Sequence, residues 1–73
     1  MTPTEIHELR ERLGLTQAQA ARLVGVQGRS WRRWEAGRDY LGSPCAVPEP
    51  VARLLRLAER HPVVRRALEE MAG

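Results

Sequence analysis

The chain has 73 residues, a formal net charge of +3 and a single cysteine, which makes it one domain near the lower limit for folding without a disulfide, a metal or a partner chain. One cysteine excludes an internal disulfide and a cysteine-based zinc site, and apolar runs of only two or three residues exclude a membrane-spanning helix. The start Met1-Thr2-Pro3-Thr4-Glu5-Ile6 lacks the basic-then-apolar order of a signal peptide, so the expectation is a soluble protein of a reducing cytoplasm.

Five short helices are predicted and no strand, an all-α class over a single domain, residues 1–73. The first opens on a capping box, with Thr2 as N-cap, Pro3 at the first helical position and Glu5 at the third. Ile6, Leu9 and Leu13 follow at helical spacing, and Gly14 supplies a stop. A second capping box, Thr16-Gln17-Ala18-Gln19, opens a helix carrying Ala20, Ala21, Leu23 and Val24 as far as Gly25. The third is predicted over about Gly28–Ala36, with Trp31 and Trp34 inward and Gly37 closing it. Arg38 to Pro50 contains Gly42, Pro44 and Pro48 and reads as a loop. The fourth covers roughly Pro50–Arg60, with Val51, Leu54, Leu55 and Ala58 on one face. Pro62 starts the fifth, which aligns Val64, Leu68 and Met71, with Val63 and Ala67 beside them.

The second and third helices are joined only by Gly25-Val26-Gln27, the spacing of a helix-turn-helix unit over residues 16–38. Ala21 is small where two helices must cross closely, and Gly25 reverses the chain without a Cβ penalty. With Val26, Trp31 and Trp34 as anchors, Gln27, Gly28, Arg29, Arg32 and Arg33 face outward, and a helix presented this way fits a DNA major groove. Charge placement agrees. Residues 1–21 carry a net −1, residues 22–38 hold Arg22, Arg29, Arg32, Arg33 and Arg38 against Glu35 alone, and residues 39–73 balance. Positive charge gathered in one short segment is a nucleic-acid footprint. All twelve basic residues are arginine, so no single one is marked by residue type as chosen for its bidentate fork.

Leu13-Gly14-Leu15-Thr16-Gln17, then Ala21, Leu23, Gly25 and Val26, then Arg33-Trp34-Glu35-Ala36-Gly37-Arg38, resemble the Cro and phage-repressor (XRE-like) type of helix-turn-helix regulators. The likeness covers residues 4–38 closely and the Leu-rich helix after Pro50 more loosely. Ser30-Trp31-Arg32-Arg33-Trp34-Glu35 and Ala46-Val47-Pro48 look more like a phage-associated subgroup that includes anti-CRISPR-associated regulators. The resemblance implies a five-helix, lambda-repressor-like domain. It also implies a phosphate contact from Gln17, an internal ion pair between Arg10 and Glu35, and Gln27, Gly28, Arg29 and Arg33 facing DNA. Ser30, Arg32 and Arg38 complete the expected DNA-binding set. Two positions depart from the family pattern: Gly28 has no side chain where a base-reading one is usual, and Trp31 replaces a β-branched aliphatic. The loop over residues 39–49 is longer than in compact members.

The expected function is an operator-binding transcriptional repressor, phage or mobile-element encoded, acting on an inverted repeat as a homodimer. Residues 50–72, through Val64, Leu68 and Met71, would form the dimer seam. An antitoxin of a toxin–antitoxin pair and a protein-interaction adaptor stand as alternatives. The chain leaves little room for a toxin-binding segment, and an adaptor needs no arginine cluster. Arg53, Arg56 and Arg60 read as a solvated face, Trp34 as core, and Trp31 as core rather than a stacking platform. Cys45, His7 and His61 are scattered, and no serine–histidine–acid set or phosphate-cradling glycine loop is present. No enzyme activity, cofactor, metal or small-molecule ligand is expected.

Overall fold

Capping residues and glycines set most of the helix limits in the computed structural model, which describes residues 1–73. The elements are α1 (Pro3–Arg12), α2 (Gln17–Val24), α3 (Gly28–Ala36), α4 (Glu49–Arg60) and α5 (Pro62–Ala72), with no strand. At the start of α1 the Glu5 N–H donates to Thr2 Oγ1 at 3.1 Å and the Thr2 N–H donates to Glu5 Oε1 at 3.0 Å. Thr16 and Gln19 repeat the exchange at the start of α2, at 3.1 and 2.9 Å. Each box satisfies two backbone donors that a helix start leaves without partners.

Gly25 ends α2 with φ +77°. Its N–H donates to the Arg22 carbonyl, and the Val26 N–H donates to the Ala21 carbonyl at 2.9 Å. This paired closure needs the left-handed backbone that glycine adopts without strain. It turns the chain directly into α3. Gly37 closes α3 at φ +79°, and a Cβ there would come within 3.0 Å of Pro3 Cγ, so the end of α3 packs against the start of α1.

The core is built by Ile6, Leu9 and Leu13 from α1 and its end, Ala20 and Ala21 from α2, Trp31 and Trp34 from α3, Val47, and Ala52 and Leu55 from α4. The two alanines let α2 lie close to α3. The indole rings meet at a tilt of 55° with centroids 5.7 Å apart, an arrangement aromatic quadrupoles favour. Trp31 is fully buried. A side chain of that size removes about 150–250 Å² from water, roughly 4–6 kcal/mol of hydrophobic stabilisation. The large ring at position 31 therefore supports α3 from inside.

α4 begins one residue earlier than the sequence suggests, so Pro50 sits in its first turn, where the missing N–H costs nothing. α5 packs on α2 and α4 but buries no residue completely. Arg12 ties α1 to α4, donating from Nε to Glu59 Oε2 at 2.6 Å. Arg65 ties α5 to the end of α1, donating to the Leu13 carbonyl at 2.8 Å. Leu57 stays about half exposed.

Candidate nucleic-acid interface

The spacing of α3 divides it into two faces. Trp31 and Trp34 point into the core, while Arg29, Arg32 and Arg33 recur at three- and four-residue intervals on the other side. Arg29, Arg32, Arg33 and Arg38 line one shallow, open depression together with Ala36, Asp39 and Tyr40. None of these four arginines is in an ion pair, whereas Arg10, Arg12, Arg53 and Arg65 all are. Arg56 lies in a different cleft among Glu5, Glu8 and Glu59. Four arginines against the single Asp39 leave this face positive, with its field directed outward.

At the start of α3 no side chain caps the helix, because Gln27 Oε1 instead accepts a hydrogen bond from Arg29 Nε at 2.6 Å. The positive end of the helix dipole is thus left beside the arginines, which suits an anionic partner. Gly28 occupies the first helical position. A Cβ there would lie 3.2 Å from Arg32 Nη1, so the space of the missing side chain is used by the Arg32 guanidinium. Gln17 opens α2 and is half-buried; Gln17, Gln27 and Ser30 do not line the arginine depression, and Gln27 is exposed.

The orientation of α3 is fixed by a carboxylate on its inner side. Glu35 Oε2 accepts from Arg10 Nε at 2.6 Å and from Trp31 Nε1, and Oε1 accepts from Arg10 Nη2 at 3.1 Å. His7 Nδ1 lies 2.6 Å from Oε1, and His7 Nε2 lies 2.7 Å from Glu11. Arg10 also donates to the Leu15 carbonyl at 3.0 Å, reaching the turn before α2. Burial pushes the Glu35 carboxyl up, but hydrogen bonds from Arg10, His7 and Trp31 outweigh it and hold the group down at about 2. The same contact raises the Arg10 guanidinium above its ordinary value. Sequence spacing gives no sign of His7 in this cluster, since it lies 28 residues from Glu35, whereas Trp31 is one helical turn before Glu35 on the same helix.

Nothing in the sequence spacing marks Tyr40 either. It stands 82% exposed on a loop, with the Arg33 guanidinium 5.7 Å from its ring centroid. Leu68 and Met71 line an apolar groove with Leu23, Val24, Gly25 and Leu54, while Val64 is half-buried outside it. No helix is long and apolar enough to cross a membrane, and no three His, Cys, Asp or Glu side chains gather as a metal site would need.

Residues 4–68 match the family described as helix-turn-helix domain. No curated protein and no solved structure matches the chain.

Proposed function

The chain belongs to the helix-turn-helix domain family, and from that premise we propose that it is a sequence-specific transcriptional repressor of the Cro and phage-repressor type. It binds an inverted-repeat operator as a homodimer and regulates its own operon in a bacterial or phage-infected cell. The observation that carries the reading is the set of four arginines, Arg29, Arg32, Arg33 and Arg38, that line one open depression with a single acid, Asp39, and make no ion pair. Arg29, Arg32 and Arg33 lie in the first two turns, where a helix in the major groove meets base edges. Gln17 and Arg38 flank them and hold phosphates. A protein-contact adaptor would gain nothing from an unbalanced cluster of this kind.

The dimer rests on the apolar groove between α2, α4 and α5, and on Met71, which is 84% exposed. A two-fold axis there sets two recognition helices about 34 Å apart, one turn of DNA. Selection of binding sites from random duplex DNA tests the whole reading. The expected product is an enriched inverted repeat with half-sites one turn apart. Recovery of unenriched sequence after several rounds would overturn it.

A further inference from the structure

The segment between α3 and α4 is a built hairpin rather than a loose connection. Arg38 and Pro44 face each other in an antiparallel bridge, and the Cys45 N–H donates to the Gly37 carbonyl at 3.1 Å. Asp39 Oδ1 accepts from the N–H groups of Leu41 and Ser43 at 2.9 and 3.0 Å. The Asp39 N–H donates back to the Ser43 carbonyl at 2.9 Å, and Gly42 turns the tip at φ +82°. An aspartate that accepts two backbone donors fixes a turn of this size.

This hairpin holds Tyr40 away from the core, with its ring beside the Arg33 guanidinium and on the rim of the arginine depression. An exposed tyrosine has no packing reason to be held there. An aromatic face 5.7 Å from an arginine attracts the cation and limits the rotamers of a long, flexible side chain.

We infer that Tyr40 is a positioning residue for DNA recognition: it holds Arg33 in its groove-facing rotamer, and Asp39 holds Tyr40. The inference rests on the DNA-binding reading above. It extends that reading from the helix to the hairpin after it, and it gives Asp39, an acid on the rim of a basic surface, a backbone role through Oδ1.

The test compares wild type with Tyr40→Ala, Tyr40→Phe, Asp39→Ala, Arg33→Ala and the Tyr40→Ala/Arg33→Ala double variant. Each is titrated against the duplex enriched from random DNA and against a scrambled duplex. Tyr40→Ala is expected to lose about two- to fivefold in affinity for the enriched site, the weight of an exposed cation–π contact, with a smaller loss on scrambled DNA. Tyr40→Phe keeps the ring and should bind as wild type, while Asp39→Ala should match Tyr40→Ala in the ratio of enriched-site to scrambled affinity, with both affinities raised alike by the lost negative charge. In the Arg33→Ala background, Tyr40→Ala should cost nothing further. A full Tyr40→Ala loss that persists without Arg33, or a Tyr40→Ala protein equal to wild type, would overturn the inference while leaving DNA binding intact. A wild type that binds neither duplex would overturn both readings together.

Discussion

Arg10 on α1 and Glu35 at the end of α3 form a two-bonded pair, Nε to Oε2 at 2.6 Å and Nη2 to Oε1 at 3.1 Å. The Glu35 side chain is only 8% exposed and Arg10 15%. Because Trp31 also donates to Glu35 from inside the core, one carboxylate links the N-terminal helix, the buried face of the recognition helix and its largest ring. The angle at which α3 is presented therefore depends on a group on its inner side.

That carboxylate makes stability depend on acid pH. Glu35 titrates at about 2 when folded against an ordinary value of 4.5. A carboxyl lowered on folding stabilises fully above its unfolded value, and the gain disappears as pH falls through the folded one. Its contribution, up to roughly 3 kcal/mol, should be present at neutral pH and drain away between 4.5 and about 2. Urea unfolding should show Glu35→Ala losing roughly 3–5 kcal/mol at neutral pH, because the half-buried Arg10 charge loses its partner. The variant should also lose most of the acid-limb slope. A Glu35→Ala protein with wild-type stability and an unchanged slope would contradict this.

The five helices were legible because their limits are written locally. Thr2 with Glu5, Thr16 with Gln19, Gly25 and Gly37 each act within a few residues of themselves. The alternation of Trp31 and Trp34 with Arg29, Arg32 and Arg33 likewise separates the two faces of α3. What the sequence hid depends on partners distant in the chain or on the geometry of side chains. His7 reaches Glu35 only once α1 crosses α3. The segment after Arg38 reads as a plain loop from its glycine and prolines, since nothing in its spacing shows that Asp39 bonds its own backbone. Gly28 reads as a missing base contact, and only the folded helix shows Arg32 using the vacated space.

For base reading, alanine at Arg29, Arg32 or Arg33 should weaken the specific site far more than random DNA, by about 1–3 kcal/mol of discrimination at each position that reads a base. Gly28→Ala should leave the fold intact, because the new Cβ meets only the flexible end of Arg32, yet shift sequence preference by displacing that guanidinium. Competition titrations with single-base-changed operators measure both effects. If all three arginine variants kept wild-type discrimination, α3 would not be the reading element.

For backbone positioning, Arg38→Ala should lower affinity for all sequences alike and reduce the salt slope by about one. Gln17→Ala should also weaken binding without regard to sequence, but with the salt slope unchanged, because its amide carries no charge. Binding measured across a salt series distinguishes the two. An Arg38→Ala protein with wild-type salt dependence would remove that residue from the interface.

For assembly, Met71→Asp should dissociate the dimer while leaving the fold intact, since Met71 is almost wholly exposed. Leu68→Asp should also dissociate it but lose monomer stability, since Leu68 is half-buried in the groove beside α2 and α4. Sedimentation at micromolar concentration, with thermal unfolding as the control, should show monomers for both. A wild type that sediments as a monomer would place the groove outside any self-association.

The most direct measurement is the affinity of the wild-type protein for its enriched duplex relative to a scrambled duplex of equal length at one fixed salt concentration. A specific regulator should prefer the enriched site by about a thousandfold or more. The preference should collapse in a variant with Arg29, Arg32 and Arg33 all replaced by alanine, with Arg53 and Arg60 on α4 left in place. Equal affinity of the wild type for both duplexes, or a preference that survives the triple replacement, would contradict the reading of this face as the site of sequence recognition.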